Sequence, residues 1–170
     1  MEKEILEGNK VYLVPIGNGD TKNIIKWRNQ PFVREMFLQR QLLTEEIHKN
    51  WLNTMVRTEK VRQFIIYLKE NDRPIGTVFL KNIDKEKKIA EYGNFIGESE
   101  YLGRGYGSDA GSTLLKYAFE ELKLHKIFLR VKRENKRAIK AYRKMGFTEA
   151  KLFFDGTDTE NLLYMVIEKP

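Results

Sequence analysis

The sequence predicts a mixed α/β fold with a largely antiparallel sheet and one strand–helix–strand crossover. Three observations carry that reading. Three strand-length runs rich in β-branched and aromatic residues, Arg62–Lys69, Ile75–Ile83 and Ile89–Ile96, follow one another across short polar turns, as in a meander. A clean apolar stripe at helical spacing then runs through Ala110, Leu114, Ala118 and Leu122, with Leu115 and Phe119 beside it. The strand-like run His125–Val131 follows that helix, and a strand–helix–strand crossover makes a parallel or splayed pair locally.

The remaining elements fit around this centre. A first strand is expected near Lys10–Ile16 and is broken at Gly17–Gly19. Asp20 reads as the N-cap of a helix through Ile24, Ile25 and Trp27. Pro31 interrupts it and starts a short helix over Phe32–Leu38. Thr44 is a second N-cap, with Glu45 and Glu46 in the first turn where the helix dipole favours negative charge. Ile47, Trp51 and Met55, with Leu52, then form an expected apolar stripe. After the crossover come a helix over Lys136–Lys144, ended by Gly146, a strand over Phe147–Phe154, a turn at Asp155–Asp158 and a last strand over Leu162–Ile167.

With 170 residues and no linker or repeat, the chain reads as a single domain spanning 1–170, large enough to bury a proper core. It contains no cysteine, which excludes disulfides, thiolate nucleophiles and Cys-bearing zinc sites. His48 and His125 have no third ligand at metal spacing, so no metal is expected. The charged start, Met1–Lys10, has no apolar core of a secretory leader, and no run approaches the roughly 20 apolar residues of a membrane span. The expected location is therefore cytoplasmic, with no membrane partner. The net charge of +7 suits a polyphosphate ligand as well as nucleic acid. The basic residues are dispersed and no nucleic-acid motif is visible, so nucleic acid is not the expected partner.

Two motifs carry chemistry. Leu102-Gly103-Arg104-Gly105-Tyr106-Gly107 lies between a strand and a long helix. Its alternating glycines free the backbone for conformations that side chains forbid, and Ser108 follows inside the first helical turn. The unpaired N–H groups and positive end of that helix complete a cradle for a phosphate or pyrophosphate. The pattern is neither a dinucleotide fingerprint nor a Walker loop. The second motif runs from Asn135, an N-cap, through Ala138 to Tyr142, two turns on and roughly on the same face.

Together these motifs resemble the GNAT acetyltransferase superfamily, most strongly over Ile89–Phe147, and element order extends the resemblance to the whole chain. It implies a mixed, mostly antiparallel seven-stranded sheet with four to five helices on its faces. It also implies an N-acetyltransferase using acetyl-CoA. The glycine turn matches the family's pyrophosphate loop, with Leu102 standing where relatives often carry Gln or Arg. By the same resemblance the strand Glu91–Ile96, including Phe95 and Ile96, binds the pantetheine arm. Asn135 and Ala138 match the second cofactor motif, Tyr142 the frequent general acid, and Glu91 a position that sometimes supplies the base. On the acceptor side, Trp27-Arg28-Asn29 and His48 resemble a segment of two groups within the family. One acetylates ribosomal-protein N-termini and the other UDP-linked 4-amino sugars. The expected acceptor is thus a small-molecule or peptide amine, with a nucleotide-linked amino sugar as the first choice. A non-catalytic coenzyme A-binding module is the alternative of another class, and a monomer or homodimer is expected.

Overall fold

The computed structural model describes residues 4–150 and 161–170. Among the described residues eight strands form one sheet in the spatial order β1-β2-β3-β4-β5-β6-β8-β7. They are β1 (Leu6–Glu7), β2 (Val11–Pro15), β3 (Arg62–Leu68), β4 (Pro74–Asp84), β5 (Ile89–Ile96), β6 (Lys126–Lys132), β7 (Thr148–Glu149) and β8 (Leu162–Glu168). Every neighbouring pair is antiparallel except β5 and β6. The extra strand over the expected seven is β1, two residues that pair with Tyr12 and Leu13. Of the strand expected at Phe147–Phe154, Thr148–Glu149 is seen, and both its remainder and the turn at Asp155–Asp158 lie outside or at the border of the described residues.

Among the described residues five α-helices cover the sheet: α1 (Thr21–Arg28), α2 (Pro31–Arg34), α3 (Glu45–Trp51), α4 (Tyr106–Glu120) and α5 (Lys136–Met145). Strand side chains alternate between faces, so two cores form. On one face α4 and α5 bury Leu114, Ala118 and Ile139 against Leu13, Ile66, Tyr92 and Leu129. On the other, α1, α2 and the turn after α3 bury Ile24, Trp27, Val33 and Leu52 against Ile65 and Phe95. A buried polar chain fastens the second layer: the Trp51 indole donates to Gln63 (3.0 Å), Gln63 to the Thr77 hydroxyl (3.0 Å), and Thr77 to the Phe64 carbonyl (2.8 Å). Each buried group thereby keeps a partner, as low-dielectric surroundings require.

Three local expectations are corrected. Asp20 does not cap α1; its carboxylate accepts the Gly17 N–H (2.8 Å) and closes the preceding turn. The helix after Pro31 is one turn, Pro31–Arg34. The stripe through Ile47 is rotated: Ile47 is 50% exposed, whereas His48 and Leu52 are buried. The helix widens after Trp51 into a π turn, in which the Arg57 N–H reaches the Leu52 carbonyl (2.9 Å), so a 3.6-residue period no longer holds across it. The Thr44 cap is as expected, accepting the Ile47 N–H at 3.2 Å.

Candidate active site

The parallel pair β5–β6 is matched only at Ile89, Ala90 and Glu91, opposite Lys126, Ile127 and Phe128. Beyond Glu91 each strand follows its other neighbour: β5 stays with β4 as far as Ile96, and β6 with β8 as far as Lys132. The facing edges of Tyr92–Ile96 and Leu129–Lys132 therefore have no ladder between them. Backbone polar groups on such an edge need a partner, and a ligand in extended conformation supplies one.

At the end of β5 the chain makes a 3₁₀ turn at Ser99–Tyr101 and enters the glycine turn. Gly103 (φ +74°) and Gly105 (φ +84°) are left-handed, and Gly105 is the N-cap of α4. A Cβ on Gly105 would meet nothing within 4 Å, so conformation rather than space calls for glycine there. The Arg137 guanidinium lies over Gly103, and a Cβ added to Gly107 would lie 3.7 Å from Asn94 Nδ2 and 3.8 Å from the Ile96 side chain of β5. No side chain caps the helix, and among the described residues the N–H groups of Gly105, Tyr106, Gly107 and Ser108 have no partner. Arg104 stacks over the Tyr101 ring (5.6 Å), and Leu102 sits half-buried at the end of the 3₁₀ turn. These residues fit a pyrophosphate: free N–H groups, a helix N-terminus and a neighbouring guanidinium on an open surface.

Asn135 caps α5, its side chain accepting the Ala138 N–H at 3.3 Å. That helix brings Tyr142 to β5. The Tyr142 hydroxyl donates to Asn94 Oδ1 (3.4 Å), while Asn94 Nδ2 donates to the Tyr92 hydroxyl (2.9 Å). The rings of Tyr92 and Phe147 hold Tyr142 edge-on, at 6.1 and 6.0 Å between centroids. Burial pushes the Tyr142 phenol up to about 12, so it remains a proton-bearing donor across the neutral range. Asn94 and Tyr92 carried no role at the level of sequence. Their i, i+2 spacing on the strand next to the glycine turn was the available signal.

The two residues read as catalytic are not brought together. Tyr92 and Asn94 face α5, whereas Glu91 and Phe95 point to the other side of the sheet. There Glu91 accepts from Arg130 Nε (2.6 Å) and Asn82 (3.2 Å) and lies 3.5 Å from the Lys81 ammonium. Phe95 packs edge-on against Phe37 (5.5 Å), so only its backbone faces the cleft edge. Ile96 lies on the cofactor side, packed against the first core.

The acceptor-side residues are corrected more strongly. Trp27 is fully buried, packs on Gly97 and donates to Glu98 (3.0 Å). Asn29 clamps the loop before α3 with reciprocal bonds to Leu43, 2.8 Å to its carbonyl and 2.7 Å from its N–H. His48 is 2% exposed and bonded through Nδ1 to the Thr21 hydroxyl (3.0 Å); burial lowers its pKa, which keeps it neutral. These three side chains build the domain and do not line a cleft. Arg28 stacks on Phe37 (3.7 Å) and donates to the Gln39 carbonyl (2.7 Å), but its Nη1 is buried without a partner. Among the described residues no group of three His, Asp or Glu side chains could hold a metal ion, and no helix is long and apolar enough to cross a membrane.

Comparison with known proteins agrees with this geometry. The family described as "Acetyltransferase (GNAT) domain" matches residues 10–148. The acetyltransferase PseH of Campylobacter jejuni is 27% identical over 74% of this chain and 74% of its own length. Spermidine N(1)-acetyltransferase of Vibrio cholerae is 30% identical over 76% of this chain and 69% of its own. A crystal structure of the spermidine N-acetyltransferase from that organism, with CoA and spermine, superposes with a TM-score of 0.82 at 24% identity, covering 94% of this chain and 95% of the other. An uncharacterized protein of Methanocaldococcus jannaschii is 30% identical over 88% of this chain, yet the match spans only 30% of that relative's length.

Proposed function

The chain belongs to the GNAT acetyltransferase family, and from that premise we propose that it transfers an acetyl group from acetyl-CoA to a primary amine held at the cleft between β5 and β6. The observation that carries this reading is the junction of that cleft with the glycine turn: an unladdered strand edge leads directly to four free N–H groups at the start of α4. The residues fit the co-substrate, which supplies an activated acetyl thioester. Gly103 to Ser108 and Arg137 hold its phosphates, and the exposed edge of β5 at Tyr92–Ile96 receives the amide groups of its arm.

In the reaction the amine nitrogen forms a bond to the acetyl carbon, the carbon–sulfur bond breaks, and the nitrogen's surplus proton replaces the acetyl group on sulfur. A free alkylamine titrates near 10, so only about one part in a thousand is neutral at pH 7. Proton removal is therefore part of the chemistry. Tyr142 donates a hydrogen bond to the departing sulfur. An ordinary thiol titrates near about 8.5, so a phenol raised to about 12 keeps its own proton and serves as donor and relay. Glu91, bonded to Arg130, acts by holding the β5–β6 junction, and the amine loses its proton to water. Replacement of Glu91 by Gln separates these roles: a junction role lowers Tm, whereas a base role lowers kcat by about 10² with Tm unchanged.

On the acceptor, an anionic carrier such as a nucleotide-linked amino sugar suits the surroundings better than a polycation. The segment from Met36 to Thr44 contains no acidic residue, and Arg28, Arg34 and Arg40 cluster along it. Lys132 of β6 reaches the same region, donating to the Glu35 carbonyl at 2.7 Å. The spermidine-acetylating relative supports the alternative. Titration calorimetry with coenzyme A tests the first step; absence of heat at millimolar concentration ends the reading. Turnover with UDP-amino sugars, N-terminal peptides and spermidine tests the second, and preference for spermidine overturns the anionic choice.

A further inference from the structure

Asp109 stands in the first turn of α4, where negative charge is favoured by the helix dipole and a carboxylate could turn toward the free N–H groups of its own helix. It does not do so here. Its Oδ1 accepts the Asn9 N–H (3.1 Å), and its Oδ2 accepts the N–H groups of Lys10 (2.7 Å) and Val11 (3.1 Å). Asn9 and Lys10 belong to the tight turn between β1 and β2 and Val11 opens β2; the turn is closed by a Gly8 N–H to Val11 carbonyl bond (2.9 Å). A Cβ on Gly8 would press on Thr113 Oγ1 (2.7 Å) and Asp109 Oδ2 (3.0 Å), so turn and helix are in close contact. From the same turn the Lys10 ammonium reaches the Arg104 carbonyl (3.5 Å) and lies 5.9 Å from the centre of the Tyr106 ring. The glycine turn is thus gripped on both sides: by a carboxylate just after it and an ammonium on its first half.

We propose that Asp109 is a positioning residue for the co-substrate. By turning its carboxylate to the β1–β2 turn it fixes the glycine turn and leaves the N–H groups of Gly105 to Ser108 free for a pyrophosphate. This rests on the phosphate-cradle reading above. A backbone cradle has few internal bonds, since its donors must stay free for the ligand, so its shape has to be enforced from outside. Three charge-assisted bonds from one carboxylate, with Lys10 beside them, provide that enforcement.

The experiment compares two acetyl donors, acetyl-CoA and S-acetylpantetheine, which lacks the pyrophosphate, using the full chain with Asp109→Asn and, separately, Lys10→Met. For Asp109→Asn the KM for acetyl-CoA rises by about tenfold, the scale of one lost hydrogen bond to a charged group. At the same time kcat stays within about twofold, and kcat/KM with S-acetylpantetheine is unchanged. Lys10→Met gives the same pattern with a smaller rise. A parallel loss with both donors makes Asp109 a general structural residue and overturns the proposal, as does an unchanged KM for acetyl-CoA in both variants. A wild-type protein that uses the two donors equally well removes the phosphate cradle itself, and the proposal with it.

Discussion

The segment from β5 to α5 and the N-terminal helices α1 to α3 use polar groups in opposite ways. In the first, backbone groups are left unbonded: among the described residues the edge of Tyr92–Ile96 has no ladder toward β6, and the N–H groups of Gly105 to Ser108 have no partner. In the second, side chains that look like ligand contacts already hold their own loop, with Asn29 on Leu43, Arg34 on the Arg40 carbonyl and His48 Nδ1 on Thr21, and among the described residues only Arg28 Nη1 and His48 Nε2 stay buried without a partner. The difference separates a binding surface from a scaffold. Unsatisfied donors in a formed concavity ask for a ligand, whereas satisfied ones, whatever their chemistry, stabilise the fold.

Activity and stability should therefore part company between the two regions. The largest effect is expected for Tyr142→Phe, which removes one hydroxyl bonded weakly to Asn94 (3.4 Å) and leaves the ring packing in place. Turnover should fall by about 10² while the acetyl-CoA KM and Tm stay close to wild type. A Tm loss as large as the activity loss would place Tyr142 in the scaffold class. Next comes Gly105→Ala. Forcing a left-handed alanine costs about 1–2 kcal/mol, so the acetyl-CoA KM should rise by roughly tenfold with the acceptor KM unaltered. Relaxation of the turn toward ordinary dihedrals would misalign the free N–H groups by the same amount. Equal rises in both KM values would break the distinction.

This contrast also explains what could be read from sequence. Gly103 and Gly105 announce a left-handed backbone because no other residue adopts it cheaply, so the phosphate turn was legible together with its helix. The two-motif spacing and the stripe on α4 located the crossover for the same reason: backbone geometry and periodicity are written in residue type. Whether a side chain is already bonded is not. Asn29 and Leu43 are fourteen positions apart, and Trp27 meets Glu98 only after the sheet has formed. In the sequence Asp109 is an ordinary carboxylate beside Glu98 and Glu100, because its partners lie about a hundred residues upstream. Ile47 fits an apolar stripe by residue type, but the buried face of α3 carries His48, a polar residue that an apolar pattern passes over.

A smaller effect, confined to stability, is expected for Asn29→Ala. It removes both the donor to the Leu43 carbonyl and the acceptor for the Leu43 N–H, a loss of about 1–2 kcal/mol for a half-buried pair. Chemical denaturation should register that loss, while coenzyme A titrated into the folded variant binds as to wild type. Asn29→Asp restores the acceptor alone and should recover part of the stability. Weakened coenzyme A binding in the fully folded Ala variant would mean that the loop reaches the co-substrate after all.

The smallest effect concerns pH and tests the burial of His48. Its pKa lies below the ordinary value of 6.5 because burial disfavours the cation, an effect only partly opposed by Asp20. In the unfolded chain the same imidazole titrates near about 6.5. Between those two values the unfolded state binds more protons, so the slope of unfolding free energy with pH is positive. The His48 contribution is complete above pH 6.5 and is lost as pH falls through the lower, folded value. Tm measured from pH 7.5 down to 5 should therefore drop faster in the wild type than in His48→Gln. The exposed His125, present in both, cancels in the comparison. An imidazole that instead met an acceptor's anion in an open cleft would be held cationic, and the two curves would diverge in the opposite sense.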